Sequence, residues 1–147
     1  MSPRDFELDL TRPTQSGVYF VGVADLDRLS RLAARDELHV SRTDLAGCHT
    51  KQELLRRMTL SLQLPPGFGD NWDALADCLR DLGRMPAWGR VLLFEHADEM
   101  RRAAEVDFDV LLGILDDAAT FASEHDVPWF ALLSLPDGTF DESPIQV

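Results

Sequence analysis

Residues 67–82, GFGDNWDALADCLRDL, combine a glycine-containing turn with a helical pattern in a chain of 147 residues. At about 100° per residue, the large apolar side chains fall together and predict a side that faces the core: Trp72, Leu75, Leu79 and Leu82. The acidic side chains fall opposite them and predict an exposed face: Asp70, Asp73, Asp77 and Asp81. Asn71, or Asp70 beside it, is a suitable N-cap, and Gly69 permits a sharp turn before the helix.

The acidic face of this predicted helix carries an electrostatic cost. Like charges three or four residues apart destabilise a helix by roughly 0.2–0.5 kcal/mol per pair, and only Arg80 is nearby to relieve them. Asp70 and Asp73 suit the positive end of the helix dipole, whereas Asp77 and Asp81 lie too far along the helix to benefit from it. Two interpretations follow: an ordinary solvated face, or a surface that binds a cationic partner.

Negative charge is concentrated in the second part of the chain. The net charge is −12; residues 1–60 hold nine basic and nine acidic side chains, whereas residues 61–147 hold 5 and 17. Such a field repels nucleic acid and anionic membranes and attracts basic proteins, so we expect neither a nucleic-acid nor a membrane ligand. An acidity that serves only solubility is the plainer alternative.

Hydrophobic residues make up 45% of the chain, and this composition together with the length predicts one soluble globular domain with a single core. No apolar run approaches the roughly 20 residues that cross a bilayer. The first ten residues, MSPRDFELDL, lack the apolar centre of a signal peptide, so we expect a cytoplasmic protein. Cys48 and Cys78 are too few for a disulfide scaffold and are predicted to be free thiols, mostly in the core.

Strand and helix patterns alternate on both sides of the opening segment. Strands are predicted at residues 17–23, 38–43, 91–94 and 129–133. Helices are predicted at residues 25–35, after the capping box Thr50-x-x-Glu53, at the opening segment and at residues 106–125. Pro65, Pro66 and Gly67 are predicted to stop the second helix. This order indicates an α/β fold with a small, mostly parallel sheet packed with helices, while residues 1–16 and those after 135 look peripheral.

The opening segment resembles the signature of the barstar family, intracellular inhibitors of small extracellular ribonucleases. Eight residues match that pattern at fixed spacing: Gly69, Asn71, Asp73, Ala74, Leu75, Asp77, Cys78 and Leu79. The likeness extends over about residues 38–133. It implies a layered barstar-like fold in one domain, with residues 37–135 as the core, residues 1–36 as an added strand–helix unit at one side of the sheet, and residues 136–147 as a tail.

The resemblance also implies a role for the acidic helix as the inhibitory surface. Asp77 stands at the position of the family's central carboxylate, Asp73 lies beside it, and Asp109 aligns with a further acidic contact. A carboxylate on a rigid helix can replace a phosphate among the cationic side chains of a ribonuclease active site. The predicted partner-binding residues are Phe68, Gly69, Asp70, Asn71, Asp73, Ala76, Asp77, Asp81 and Asp109.

Two positions depart from the family pattern. Gly67 and Ala76 stand where aromatic residues are found in the best-known member of the family. Because large aromatic side chains are frequent hot spots, their loss implies a differently shaped target or weaker binding. Phe68 is the remaining aromatic contact in the turn beside the acidic face, with simple packing as the alternative.

Patterns for other chemistry are weak. The histidines and cysteines show no zinc-site spacing: His39, His49, His96, His125, Cys48 and Cys78. Asp73 and Asp77 do not suit a glycoside hydrolase, whose carboxyl groups flank a cleft from separate elements. We therefore expect no metal, no cofactor and no catalysis, but a monomeric antitoxin or immunity-type inhibitor that binds a basic ribonuclease one to one. The alternative is an acidic adaptor or nucleic-acid mimic that binds a basic protein without inhibiting an enzyme.

Overall fold

A computed structural model of the protein describes residues 8–64, 71–84, 89–136 and 145–146. At residues 83, 84, 145 and 146 it describes the backbone only. A short 3-10 helix (Pro13–Gln15) comes first. The strands are β1 (Gly17–Val21), β2 (His39–Asp44), β3 (Arg90–Glu95), β4 (Trp129–Ser134) and β5 (Ile145–Gln146). The helices are α1 (Val23–Arg35), α2 (Lys51–Ser61), α3 (Trp72–Arg84), α4 (Ala97–Ala103) and α5 (Glu105–Glu124).

The strands form one sheet in the order β2-β3-β4-β1-β5. The first four strands in that order are parallel, and β5 is antiparallel to β1. Strands β3 and β4 are buried almost throughout, as expected for central parallel strands covered on both faces. The predicted α/β class with a mostly parallel sheet is confirmed.

Alternate residues of the central strands supply two separate cores. Leu92 and Phe94 of β3 belong to the cluster that contains buried residues of α2, α3, α4 and α5. Val91 and Leu93 belong to the cluster on the other face, which α1 covers together with Leu10. This alternation follows from the two-residue period of a strand, and it places α3 and α5 on the same side of the sheet.

The two segments that look peripheral in the sequence, residues 1–16 and those after 135, supply contacts to the core and to the sheet. Leu10 is only 2% exposed, and β1, which follows the first segment and was predicted as a strand, pairs with β4. Residues 145–146 pair with the other side of β1. A strand pairs through its backbone, so a two-residue edge strand leaves almost no side-chain signal in the sequence.

Several element boundaries differ from those predicted. The first strand stops at Val21, and Val23, which is 51% exposed, begins α1 instead of extending the strand. Helix α2 ends at Ser61, before the predicted stop at residues 65–67, which lies outside the described residues. Helix α4 was not predicted, because seven residues with only Ala97 and Met100 buried are too short to show helical periodicity.

The predicted N-cap of α2 is confirmed, with a different use for its glutamate. Thr50 Oγ1 accepts a hydrogen bond from the Glu53 backbone N–H at 3.2 Å. The Glu53 carboxylate accepts hydrogen bonds from Arg56 and Arg57. These hydrogen bonds lower the pKa of Glu53 to about 2.

Gly89 is required by close packing in front of β3. A Cβ atom there would lie 2.9 Å from Leu38 Cδ2 and 3.0 Å from the Pro128 carbonyl oxygen. We expect Gly89→Ala to lower the free energy of unfolding by about 1–3 kcal/mol, measured by urea denaturation, because a backbone atom cannot move aside cheaply. Gly113→Ala is the matched control: its Cβ meets nothing within 4 Å, so that helical position should gain about 0.5–1 kcal/mol. Equal effects at both glycines would contradict the packing argument.

Candidate functional site

Helix α3 is held against the core by the apolar side that its sequence predicts. Leu75 and Leu79 are both 0% exposed, and Trp72 and Leu82 are half-buried against the same cluster. The helix also packs along α5. Two fully buried leucines one turn apart restrict rotation of the helix about its axis, so its outer face has a defined orientation.

The N-terminus of α3 is capped by Asn71, one of the two residues predicted for that role. Asn71 Oδ1 accepts hydrogen bonds from the backbone N–H of Asp73 at 2.8 Å and of Ala74 at 3.3 Å. Lys51 Nζ lies 5.8 Å from the centre of the Trp72 ring and so connects the start of α2 to the start of α3. The two hydrogen bonds to Asn71 Oδ1 stabilise the first turn of α3.

The outer face of α3 presents charged side chains to solvent. Asp73, Asp77, Arg80 and Asp81 are all exposed, and Ala76 is half-buried beside them. The Asp77 side chain is 71% exposed and accepts a hydrogen bond from Arg80 Nη2 at 2.8 Å. An exposed pair three residues apart is worth only about 0.2–1 kcal/mol, so Asp77 is accessible rather than locked.

Three of the predicted partner-binding residues lie outside the described residues: Phe68, Gly69 and Asp70. Gly67, where the family pattern has an aromatic residue, lies outside them as well. The turn predicted at these residues and the roles of residues 68–70 in binding therefore stay predictions.

Asp109 is exposed and lies on α5, which packs against α3. It lines a groove of about 500 Å³ with Glu105, Phe108 and Leu112 of α5, Phe20 of β1, and Arg101 and Arg102 of α4. None of the described residues that line this groove comes from α3. Any contact that Asp109 makes with a partner would involve this second region.

The groove contains residues that sequence reasoning missed. The Arg101 guanidinium lies 5.6 Å from the centre of the Phe20 ring, and this ring stacks on Phe108 with centroids 6.2 Å apart. The only local signal was the adjacent pair Arg101 and Arg102 in an acidic region, and its placement depends on α4, which was not predicted.

Both cysteines are free, as predicted. Cys48 is buried, and its Sγ atom lies 3.8 Å from Met100 Sδ. Cys78 on α3 is half-buried, and burial together with the nearby Asp81 and Asp77 raises its pKa. The Cys78 side chain packs against the core cluster that also holds Leu75 and Leu79.

Two histidines form side-chain contacts at the carboxyl edge of the sheet, one with the end of β2 and one with α4. His96 Nδ1 lies 2.9 Å from Asp44 Oδ1, and His49 Nε2 lies 3.1 Å from Glu99 Oε2. The hydrogen bond that the protonated His96 ring donates to the Asp44 carboxylate raises the pKa of His96 above its usual value. Within the described ranges, no three His, Cys, Asp or Glu side chains are grouped closely enough to hold a metal ion.

The His96–Asp44 pair should make stability depend on pH. Folding raises the pKa of His96, so the ion pair adds to the free energy of unfolding while the ring is protonated. This contribution is fully present below the pKa of the unfolded state, near 6.5, and is lost as pH rises through the pKa of the folded state. The difference in unfolding free energy between the wild type and His96→Asn should be largest near pH 5.5, at most about 1 kcal/mol for an exposed pair, and should vanish near pH 8.5. Asparagine suits the left-handed backbone at this position, where φ is 57°. A difference that is constant between the two pH values in urea denaturation would contradict this assignment.

The geometry of α3 favours binding over catalysis. Carboxylates on the outside of a helix make charge-assisted hydrogen bonds to the cations of another molecule. Glycoside hydrolysis instead needs two carboxyl groups on either side of a cleft.

Among the described residues, no helix is long and apolar enough to span a membrane.

Comparisons with known proteins agree with this fold. The chain is similar to one chain of the solved structure titled "Structure of Drosophila ORC bound to DNA", with 16% identity and a TM-score of 0.52. The match covers 84% of this chain but spans only 33% of that chain, and at this identity it shows the fold alone. No curated protein matches the chain significantly.

A family model described as Barstar (barnase inhibitor) matches residues 38–134, which include β2, α2, α3, β3, α4, α5 and β4. This match covers well over half of the chain, and the protein therefore belongs to the barstar family.

Proposed function

We propose that the protein inhibits a small extracellular-type ribonuclease by inserting the outer face of α3 into the basic active site, where it blocks access of RNA. The observation that carries this proposal is the display of Asp73 and Asp77 on a helix fixed to the core by Leu75 and Leu79. The description of the family as barnase inhibitors supports the same class of target.

The physical basis is the substitution of carboxylates for phosphates. A ribonuclease active site holds arginine, lysine and histidine side chains that bind phosphate groups of RNA. Asp77, at the centre of the face, accepts hydrogen bonds from those cations, and Asp73 does the same one turn earlier. Because α3 is already ordered and capped by Asn71, binding loses little conformational entropy in the inhibitor.

The remaining predicted contacts surround this centre. Ala76 and Asp81 border Asp77 on α3, and the predicted contacts at residues 68–70 would extend the interface beyond the start of the helix. Asp109 lines the groove beside α4 and belongs to α5, the helix against which α3 packs, so a contact at Asp109 would extend the interface from α3 to α5. We expect an interface of the size usual for enzyme–inhibitor pairs, about 800 Å² on each partner.

The excess negative charge contributes to the rate of association. A net charge of −12 attracts a basic enzyme at long range, and this attraction weakens as salt screens it.

We place the protein in the cytoplasm as a monomer that forms a one-to-one complex and protects the cell from the enzyme, as an antitoxin or immunity protein does. In this proposal it is not an enzyme, and residues 1–36 and 136–147 are additions to a core at 37–135.

A titration of enzyme activity tests the proposal. Cleavage of a fluorogenic RNA substrate by a small basic secreted ribonuclease is measured while the protein is added in steps. Activity should fall linearly and reach zero at one equivalent. A complex that forms, by light scattering, while cleavage continues would overturn the proposal in favour of the adaptor. Failure to bind a panel of such ribonucleases would overturn both the inhibitor and its stated target.

A further inference from the structure

We propose that Arg80 is a specificity-determining residue of the α3 face, because it occupies the Asp77 carboxylate in the free protein and must be displaced by a cation of the partner. This inference rests on the proposed function of α3. Arg80 Nη2 lies 2.8 Å from Asp77 Oδ1, and the two side chains are 48% and 71% exposed. Arg80 is the only lysine or arginine between Trp72 and Leu82.

Helix geometry explains why Arg80 reaches Asp77. Side chains on a helix lean towards its N-terminus, so a long side chain at position 80 covers the surface around position 77. The spacing of seven residues also aligns Arg80 with Asp73 on the same face, two turns away. The guanidinium therefore stands in the middle of the surface that the partner is proposed to cover.

The pair imposes a cost on binding that depends on the partner. A cation of the enzyme that approaches Asp77 meets one carboxylate oxygen already hydrogen-bonded, and it also meets the positive charge of Arg80. Exposed ion pairs of this kind are weak, so a strong competitor can replace Arg80. A partner with only scattered surface cations makes no stronger hydrogen bonds to Asp77 than Arg80 already makes. Displacement of Arg80 by such a partner therefore contributes little binding free energy.

This reasoning narrows the chemical class of the partner. The favoured partner is an enzyme whose phosphate-binding pocket brings two or more cations to a single carboxylate, ideally an arginine that donates two parallel hydrogen bonds. Arg80 then turns towards solvent at the edge of the interface. Repulsion by Arg80 disfavours partners without such a pocket, and discrimination through a repulsive element is a general route to specificity.

Removal of Arg80 tests the inference by surface binding kinetics. We expect Arg80→Ala and Arg80→Gln to lower the Kd for the ribonuclease about tenfold at low salt, with part of the change in the association rate. The gain in the association rate should shrink at high salt, because exposed charges are screened. The matched control is Arg28→Ala, which removes an arginine paired with an aspartate three residues away, in α1 on the other face of the sheet. That control should change Kd less than about twofold.

A double-mutant cycle separates local competition from total charge. In an Asp77→Ala background, the benefit of Arg80→Ala should fall to about threefold or less, since no carboxylate remains to be released. Circular dichroism and urea denaturation confirm that each variant is folded. Wild-type inhibition with no tightening by Arg80→Ala beyond the Arg28→Ala control would overturn this inference and leave the proposed function intact. Absence of inhibition by the wild type would overturn both.

Discussion

Asp77→Ala should weaken binding to the ribonuclease by about 2 kcal/mol or more, which corresponds to at least roughly 30-fold in Kd. The Asp77 carboxylate is 71% exposed in the free protein, so its desolvation is completed only in the complex. Removal of this carboxylate leaves the opposing cations of the enzyme buried without a partner, and an unpaired buried charge accounts for much of such a loss. Isothermal titration calorimetry gives Kd and stoichiometry in the same experiment.

The appropriate comparison for Asp77→Ala is Asp81→Ala, one turn further along the same helix. Both variants change the net charge by one unit, and both replace an exposed aspartate of α3 by a residue that favours helix. Asp81 lies towards the end of the face, so its loss should cost less than about 1 kcal/mol of binding free energy. Equal losses would mean that the surface acts through diffuse charge, without a central carboxylate.

Leu79→Ala should lower the free energy of unfolding by about 2–5 kcal/mol. Leu79 is 0% exposed and lies in the cluster shared by α3, α5 and the sheet, so its truncation leaves a cavity lined by side chains that cannot all collapse inwards. The loss is a large part of the roughly 5–15 kcal/mol that stabilises an ordinary domain. Urea denaturation followed by circular dichroism measures it.

Leu60→Ala is the control for the effect of leucine truncation in a helix. Leu60 is in α2 and is 67% exposed, so its replacement should change the free energy of unfolding by no more than about 0.5 kcal/mol. A loss for Leu79→Ala as small as the loss for Leu60→Ala would contradict the anchoring of α3 by its apolar side. The orientation of Asp73 and Asp77 would then lose its structural explanation.

Features that depend on near neighbours in the chain were predictable. The apolar side of α3, its Asn71 cap and the proximity of Arg80 to the acidic face all involve residues within a few positions of one another. An α-helix repeats every 3.6 residues, so spacing alone assigns its side chains to faces. The N-cap of α2 at Thr50 was predictable for the same reason.

Features of weak periodicity or of backbone pairing were not predictable. Helix α4 is too short to show a pattern, and β5 is a pair of residues joined to β1 through backbone hydrogen bonds. The groove around Asp109 depends on both the placement of α4 and the position of Phe20 in β1. Its residues are as much as 92 positions apart in the sequence, from Phe20 to Leu112.

The sequence by itself determined the longer strands and helices, which face of α3 is buried and which charges that face carries, because these properties arise from local spacing and hydrogen bonding. Only the tertiary structure decided the strand order β2-β3-β4-β1-β5 and the grouping of Asp109 with Phe20 and Arg101 around one groove. Strand order follows from how whole elements bury their apolar surfaces against one another. That packing joins residues far apart in the chain, and no local pattern encodes it.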